Sequence, residues 1–310
     1  MTSIRRLGLA ASALAVIGVL PAFGQTPPAT PGVAAASSRS NWNQPMEPFK
    51  IIDNVYYVGT AGLSSFLFVT PEGDILLDAA LPDSAPQIEA NISKLGFKLS
   101  DVKILLNSHA HFDHSGGLAQ IKKDTGARLI ASEGDRSALE GGFYLGSENV
   151  KTMSAPPVKV DEAIKDGYKL TLGGFTMTAH MTPGHTRGCT SWGWTAHDGG
   201  KAYEALVFCS ATIAANRLVD PPQYKGIVAD YRATFEKAAK MKVDIFLAPH
   251  AEFYDLAAKR AKLTAGGPNP FIVPGEFQTF IAQQKADFEP SLKEQEAKAA
   301  AKKAAGAKPK

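Results

Sequence analysis

The 310-residue chain has an ordinary composition: 45% of its residues are hydrophobic and 20% are charged, with 33 basic and 30 acidic residues. At ~150 residues per domain the length allows one large domain or two average ones, and the composition excludes a disordered, collagen-like or disulfide-dense chain. The net charge of +3 is too small for a nucleic-acid-binding surface, and two cysteines exclude a zinc site of three or four thiolates.

The N-terminus has the layout of a secretory signal peptide. Arg5 and Arg6 precede an apolar run over residues 7–20, and small residues follow up to Gly24. The run is shorter than the roughly 20 residues that a membrane span needs, with an uncleaved anchor as the alternative. We therefore predict a signal peptide over residues 1–24 and a periplasmic protein without stable membrane association after cleavage. Residues 25–40, rich in Pro, Ala, Ser and Thr, are predicted to form a flexible leader.

Two blocks of strands and helices are predicted between residues 41 and 290. The first block has two hairpins and alternating elements after them, over residues 51–58, 65–77, 86–95 (helix), 102–106, 116–125 (helix) and 128–131. The second block has strands and two helices, over residues 168–172, 175–179, 190–195, 206–209, 228–241 (helix), 243–247 and from residue 275 onward (helix). Because no linker divides the blocks, they predict a single domain of four layers, with helices outside two packed sheets. Residues 291–310, mostly Ala and Lys, are predicted as a solvated tail.

The most informative stretch is residues 107–117, which contains the pattern His-x-His-x-Asp-His. It directly follows a predicted buried strand and precedes a helix, so its polar groups gather at the end of that strand. His109 and His111 are two residues apart in extended backbone and point the same way. Asp113 and His114 come after the chain turns and face a second point. Imidazole and carboxylate groups at this density are typical of zinc ligands.

Two further histidines occupy similar places in the predicted fold. His185 lies in a Gly/Pro turn between two strands, and His250 follows the strand over residues 243–247. Together with the first motif they complete two sites of three protein ligands each. The open fourth position of such a site is typical of catalytic rather than structural zinc. His180 and His197 have no partner pattern and are assigned to the surface.

The pattern His-x-His-x-Asp-His, followed by Pro-Gly-His-Thr and a later histidine at a strand end, resembles the metallo-β-lactamase superfamily over residues 41–290. The resemblance implies an α+β fold, an αββα four-layer sandwich with two zinc ions (Zn2+) at the edge between the sheets. Superfamily members include lactamases, thioesterases, lactonases and nucleases, so the fold alone leaves the function open.

One position discriminates among members of the superfamily. Glyoxalase-like and lactonase members have Gly-Asp-Thr where this sequence has Ser210-Ala211-Thr212, so the aspartate that bridges the two metals is missing. The remaining set is similar to subclass B3 of the metallo-β-lactamases. It implies two groups of zinc ligands: His109, His111 and His185, and Asp113, His114 and His250. Another subclass has a cysteine ligand on this strand, which makes Cys209 an alternative that His114 renders unnecessary.

The resemblance implies zinc-dependent hydrolysis of the β-lactam amide bond of penicillins, cephalosporins and carbapenems, and therefore antibiotic resistance. A hydroxide that bridges the two zinc ions attacks the carbonyl, and the catalytic residue Asp113 orients that hydroxide while binding the second zinc. The alternatives are a sibling hydrolase acting on lactones or thioesters and a non-catalytic periplasmic zinc-binding protein. The expected partner is a small-molecule substrate, and without a heptad pattern or a long apolar stripe a monomer is the expectation.

Further residues are given roles around the two metals. The resemblance implies that Asp78 orients a zinc-binding histidine. The alternative is that Asp78 caps the helix that follows it. The hydroxyl groups of Ser210 and Thr212 bind either the substrate carboxylate or the backbone at the strand end. Phe143 and Tyr144 form an apolar lip over the pocket.

The two cysteines, Cys189 and Cys209, lie at equal distances in sequence from Gly199, near which a hairpin is predicted to turn. They are therefore expected to face one another. An exported protein can keep a disulfide, but cross-strand geometry is often poor for one. The pair is expected to be adjacent, either bridged or as two buried free thiols.

Overall fold

Two β-sheets form the centre of the computed structural model, which describes residues 41–306; the predicted signal peptide (1–24) and leader (25–40) lie outside the described residues. The seven-stranded sheet has the order β1-β2-β3-β4-β5-β6-β7 and the five-stranded sheet the order β12-β11-β10-β9-β8. The strands of the first sheet are β1 (Phe49–Ile52), β2 (Val55–Tyr57), β3 (Phe66–Phe68), β4 (Asp74–Leu77), β5 (Val102–Leu106), β6 (Arg128–Ser132) and β7 (Glu162–Ile164). Those of the second are β8 (Lys169–Leu172), β9 (Phe175–Met181), β10 (Thr190–Asp198), β11 (Lys201–Val207) and β12 (Ile245–Leu247).

Helices cover the outer faces of both sheets. They are α1 (Ala85–Lys94), α2 (Phe112–Ser115), α3 (Leu118–Thr125), α4 (Arg136–Gly141), α5 (Ile227–Ala238), α6 (Leu256–Ala265) and α7 (Glu276–Gly306). The apolar sides of α1 and α3 share one core with the outer face of the seven-stranded sheet, whereas those of α5 and α7 pack with the five-stranded sheet. The predicted αββα four-layer sandwich is thereby confirmed. Within residues 41–306, no helix combines the length and the apolar character needed to cross a bilayer.

The core between the sheets is built by the alternation of side chains along each strand. In β3, Phe66 and Phe68 belong to the core between the sheets, and Leu67 belongs to the core beneath the helices. Phe68 meets the indole of Trp194 from the opposite sheet at 5.0 Å between ring centroids. Trp192 is fully buried two residues earlier in β10 and donates from Nε1 to the carbonyl oxygen of Asn107 at 3.4 Å. The core therefore contacts the segment that carries the histidine motif.

Parallel pairing brings the loops that carry polar residues to one edge of the seven-stranded sheet. β4, β5 and β6 are parallel neighbours, so the chain leaves all three at the same edge. The segments that follow them begin at Asp78, Asn107 and Glu133. Close packing at this edge requires Gly117, because a Cβ there would lie 2.5 Å from the carbonyl oxygen of Ala79.

Most of the predicted elements are present, but four were missed. These are α2, β7, α4 and α6. The strand β7 has three residues and pairs with β6 alone, so it carries too little periodicity to be recognised. The hairpin of β10 and β11 is longer than predicted, because Asp198 pairs with Lys201 across a two-residue turn.

The C-terminal helix α7 continues through the predicted domain boundary at residue 290. Leu292 is buried in the core beneath the five-stranded sheet. The side chain of Gln295 accepts from the backbone N of Leu218 at 2.8 Å and donates to the carbonyl oxygen of Asn216 at 3.2 Å. The packed part of the helix therefore extends beyond residue 290, and the solvated part of the Ala/Lys-rich segment begins later than predicted.

A disulfide joins Cys189 to Cys209, with 5.8 Å between their Cα atoms. Both cysteines lie just outside the paired parts of β10 and β11, where the ladder no longer constrains their spacing. Of the two alternatives, bridged and free, the structure has the bridged form. It also removes Cys209 from the metal ligands, because its sulfur is bonded.

The disulfide predicts the outcome of a thiol titration. The denatured, unreduced protein is expected to contain no reactive thiol, and the reduced protein two, because the chain has two cysteines. The measurement is reaction with a chromogenic disulfide reagent in denaturant, before and after reduction. Two reactive thiols before reduction would contradict the bridge.

Candidate metal centre

Three histidine rings converge at the sheet edge to form the first trio, consisting of His109, His111 and His185. All three are buried. Their ring centroids lie 4.6 to 4.8 Å apart. The first two rings come from the segment after β5, and the third comes from the turn between β9 and β10.

Hydrogen bonds fix the orientation of two rings of the first trio. The Nδ1 atom of His185 lies 2.7 Å from the carbonyl oxygen of Thr212. Because a carbonyl only accepts, Nδ1 carries the proton and Nε2 of the neutral ring is left with a free lone pair. His109 Nδ1 pairs with the hydroxyl of Ser108 at 2.9 Å, and its Nε2 is buried without a hydrogen-bond partner among residues 41–306. An orphaned buried ring nitrogen of this kind is what a metal ion would satisfy.

The second trio consists of Asp113, His114 and His250. The Nε2 atoms of the two histidines are 3.2 Å apart, and they lie 3.4 and 3.5 Å from Asp113 Oδ2. Three ligand atoms therefore point at one another across a space suited to a cation. In each trio the atoms offered as ligands all lie within 4.8 Å of one another.

The electrostatics of the first trio and of Asp113 favour the protonation states that metal binding needs. Burial, reinforced by the neighbouring imidazoles, holds the pKa values of His109 and His111 well below their ordinary value. Burial also lowers the pKa of His185 to about 4. Burial alone would raise the pKa of Asp113, but the adjacent His114 holds it well below its usual range. In the second trio, burial alone would lower the pKa of His114, but the adjacent Asp113 raises it. Neutral imidazoles and an ionised carboxylate are the forms that bind a metal, so five imidazoles and one carboxylate fit a divalent ion of the zinc type.

Asp78 holds the backbone of the histidine segment rather than a histidine ring. Its Oδ1 accepts from Ser108 N at 2.7 Å and from Asn107 Nδ2 at 2.9 Å. Its Oδ2 has no hydrogen-bond partner among residues 41–306, and burial raises its pKa to about 6. The bonds fix the chain immediately before His109. No hydrogen bond joins Asp78 to a histidine ring among residues 41–306, although its charge acts on His114 and also raises the pKa of that ring. Neither oxygen caps α1.

The hydroxyl groups of Ser210 and Thr212 lie beside the first trio. Ser210 Oγ accepts from the backbone N of Thr212 at 3.2 Å, which corresponds to the alternative of a strand-end bond. Thr212 Oγ1 lies 3.2 Å from both Ser210 Oγ and His185 Nδ1. Thr212 is partly exposed, whereas Ser210 is buried, so Thr212 is the more accessible of the two residues.

Of the two aromatic residues expected to form a lip, only Tyr144 lies at the centre. Its ring stacks on His111, with 4.1 Å between centroids and 13° between planes. Phe143 instead packs against the core beneath α1 and α3. The reason is the left-handed Gly142, with φ 66°, which ends α4 and turns the chain, so that the two successive rings diverge.

Three residues without a predicted role support the trios. Asp135 accepts hydrogen bonds from the segments on which the first trio lies. Asn216 accepts from Tyr144 Oη at 2.9 Å and donates to the carbonyl oxygen of His185 at 2.8 Å. The indole of Trp42 meets His250 at 5.2 Å between ring centroids. Asp135 follows β6, a parallel neighbour of β5, so the adjacency of these strands could have indicated from the sequence that Asp135 lies near the trios. Asn216 lies in a loop, and nothing in the sequence indicated its role.

The two remaining histidines lie apart from both trios. His197 is exposed and lies 3.4 Å from Asp53 Oδ2. His180 is half-buried on β9, and burial lowers its pKa.

The comparisons with known proteins agree with this geometry. A family model described as "Metallo-beta-lactamase superfamily" matches residues 59–193. The structure is similar to that of BJP-1, a subclass B3 metallo-beta-lactamase of Bradyrhizobium japonicum, with 53% sequence identity and a TM-score of 0.82 over 84% of this chain and 98% of that one. The chain belongs to the metallo-beta-lactamase superfamily.

Other relatives within the metallo-beta-lactamase superfamily differ in how much of the chain they match. The FEZ-1 metallo-beta-lactamase from Legionella gormanii is 42% identical over 82% of this chain and 98% of that one, with a TM-score of 0.79. A curated hydroxyacylglutathione hydrolase of Methylococcus capsulatus is 30% identical over 132 residues, which are 43% of this chain. The match spans only 40% of the length of that curated relative.

Proposed function

We propose that the chain is a zinc-dependent β-lactamase that hydrolyses the amide bond of penicillins, cephalosporins and carbapenems and so confers antibiotic resistance. The observation that carries the proposal is the 53% identity with BJP-1, whose name is that of a subclass B3 metallo-beta-lactamase, over 98% of that chain. The partial match to a hydroxyacylglutathione hydrolase makes a thioester hydrolase the second candidate. A non-catalytic zinc-binding protein is the third.

Two zinc ions per chain are proposed, one for each trio. The support is the donor set: imidazole and carboxylate atoms within 4.8 Å of one another in each trio, and the orphaned Nε2 of His109. When bound, the zinc ions would polarise a carbonyl and lower the pKa of bound water to about 7. Side chains of the protein are proposed to transfer the proton and to position the water and the substrate.

Asp113 is the proposed catalytic residue. Its carboxylate is kept ionised by His114, so it accepts a hydrogen bond from the attacking water and orients it toward the carbonyl. Hydrolysis forms a C–O bond and breaks the C–N bond, and the departing nitrogen gains one proton. A carboxylate that takes the proton from water and returns it to nitrogen balances the reaction. No serine or cysteine nucleophile is required.

Neighbouring side chains position the ligands and the substrate. Tyr144 covers one face of His111 and Trp42 borders His250, which keeps bulk water from the trios. The hydroxyl of the partly exposed Thr212 is the proposed donor to the substrate carboxylate, and its bond to Ser210 supports its orientation.

The function is tested with a panel of substrates for one purified protein. A cephalosporin and a carbapenem are expected to be opened, whereas a lactone and a hydroxyacyl thioester are turned over weakly or not at all. Turnover of the thioester or lactone alone would contradict the proposal, and zinc binding without any turnover would favour the non-catalytic protein. His111→Ala is expected to abolish turnover, and His180→Ala, the matched control outside the trios, to leave it unchanged.

The second trio is tested by counting metal ions. Because His250 supplies one of three ligands, His250→Ala is expected to retain about one zinc ion per chain, that of the first trio. His180→Ala serves as the control and is expected to retain both ions. The measurement is elemental analysis after gel filtration. Retention of two zinc ions by the His250 variant would refute the assignment.

The proposed location is the periplasm, and the proposed state is a monomer without stable membrane association. The proposed periplasmic location rests on the charged and apolar segment of residues 1–24.

A further inference from the structure

Asp135 is a buried carboxylate that the proposed mechanism does not use. It precedes α4 and is 2% exposed. Its Oδ2 accepts from the backbone N of Ala110 at 3.0 Å and from Thr186 Oγ1 at 2.8 Å. Its Oδ1 accepts from the backbone N of Gly188 at 2.9 Å. The burial of a carboxylate is unfavourable unless it is hydrogen-bonded, and here three donors from two segments meet it.

The donors belong to the two segments that carry the first trio. Ala110 lies between His109 and His111, and Thr186 directly follows His185. The same carboxylate oxygen accepts from both segments. One side chain therefore connects the backbone next to all three histidines.

The other bonds of the first trio restrain ring rotation but do not set the spacing of the segments. His109 is held by Ser108, its own neighbour in sequence, and His185 is held by Thr212 on a third segment. Neither bond joins the segment after β5 to the turn between β9 and β10. The backbone N of Thr190, at the start of β10, joins these segments by donating to the carbonyl oxygen of Ser108 at 2.8 Å. The carboxylate of Asp135 joins them at residues adjacent to the histidines of both segments.

Packing around Asp135 leaves little freedom for the two segments to move independently. A Cβ at Gly188 would collide with the hydroxyl of Ser132 and the backbone N of Asp135. A Cβ at Gly134 would lie 2.8 Å from the carbonyl oxygen of Arg187. The segment after β6 and the turn that carries the third histidine are thus in backbone contact. The bonds to Asp135 extend this contact to the segment after β5.

We propose that Asp135 is a positioning residue that sets the spacing of the three histidines of the first trio and thereby the affinity of that trio for metal. It acts through the backbone of Ala110 and Gly188 and the hydroxyl of Thr186, without touching the metal or the substrate. The inference rests on the proposed function only in that the first trio binds metal, and β-lactam turnover does not enter it.

The test measures metal affinity in proteins that retain a single trio. His250→Ala retains the first trio intact, and His185→Ala retains the second. Each zinc-loaded protein is equilibrated with graded chelator, with and without Asp135→Asn. The asparagine side chain has the shape of the aspartate side chain, but its amide presents N–H groups to the backbone donors. Asp135→Asn is expected to raise the apparent Kd of the first trio for zinc at least about ten-fold, as loss of a residue that hydrogen-bonds a metal ligand does in other proteins. The apparent Kd of the second trio is expected to change by less than about two-fold.

A merely structural role would give a different result. A general loosening of the fold would weaken both trios equally, and that outcome would overturn the proposal, as would an unchanged first trio. Asp74→Asn is the matched control, because Asp74 is also a buried carboxylate, 3% exposed. Among residues 41–306 its side chain accepts a hydrogen bond only from the backbone N of Thr70, at 3.4 Å. The substitution is expected to change neither Kd.

A milder variant covers the case in which Asp135→Asn does not fold, as judged by circular dichroism. Thr186→Val removes one of the three bonds to the carboxylate and is expected to weaken the first trio selectively, by a smaller factor. Equal effects of Thr186→Val on both trios, or none, would overturn the proposal. If neither single-trio protein binds zinc, the metal assignment fails and the inference fails with it. If both bind zinc but β-lactams are not opened, only the proposed substrate is wrong.

Discussion

Asp113→Asn is expected to lower kcat/KM for a carbapenem by at least about 10³-fold, well above the about 10–100-fold that follows loss of an outer partner of a metal ligand. The asparagine side chain keeps the size of the aspartate but loses its charge. It therefore binds a cation weakly and cannot accept the proton of the attacking water. His114 and His250, whose Nε2 atoms lie 3.4 and 3.5 Å from Asp113 Oδ2, lose the carboxylate between them.

The measurement is steady-state hydrolysis of the carbapenem with zinc in excess, so that weakened binding is separated from lost chemistry. Asp53→Asn is the control, because Asp53 pairs with the exposed His197 away from the trios; it is expected to retain wild-type turnover. Activity of Asp113→Asn within a few-fold of wild type would show that the carboxylate is not the catalytic residue.

Trp192→Ala is expected to lower the free energy of unfolding by about 3–5 kcal/mol, the range for removal of a buried large aromatic side chain. Trp192 is fully buried between the sheets, so its loss leaves a cavity that the rigid strands cannot fill. The variant also removes the hydrogen bond from Nε1 to the carbonyl oxygen of Asn107. The damage thus reaches the segment that carries the first trio.

Denaturant unfolding in the presence of chelator measures this effect without a contribution from metal binding. Thr195→Ala on the same strand is the control, because Thr195 is exposed and surface changes usually stay within about 0.5 kcal/mol. A loss below about 1 kcal/mol for Trp192→Ala would contradict the packing described here.

The parts of the fold that were predictable are those in which local pattern and tertiary structure agree. The strand over Val102–Leu106 is apolar and buried except at Lys103, and it lies between two parallel neighbours. Strands buried in this way are nearly continuous apolar runs. The density of ligand-type residues after that strand made the first motif conspicuous. His185 and His250 were predicted because each follows a strand or lies in a turn between strands, and the structure brings all six predicted ligands into two trios.

The parts that were not predictable depend on contacts between distant segments. Asp135 became meaningful only when β6 was placed beside β5, because its three donors come from other segments. Phe143 and Tyr144 are adjacent in sequence, and a left-handed glycine decides which of them meets the trios. The Ala/Lys-rich composition of the C-terminal segment concealed Gln295, whose amide holds the loop at Asn216.

The central claim is that a metal held by the two trios opens a β-lactam ring. The most direct measurement is the loss of carbapenem absorbance catalysed by the purified protein before chelation, after chelation and after return of zinc. We predict turnover before chelation, none after it, and recovery when zinc is returned, with no recovery in His111→Ala. Carbapenem hydrolysis that persists in the chelated protein, or a zinc-loaded protein that leaves the carbapenem intact, would contradict the claim.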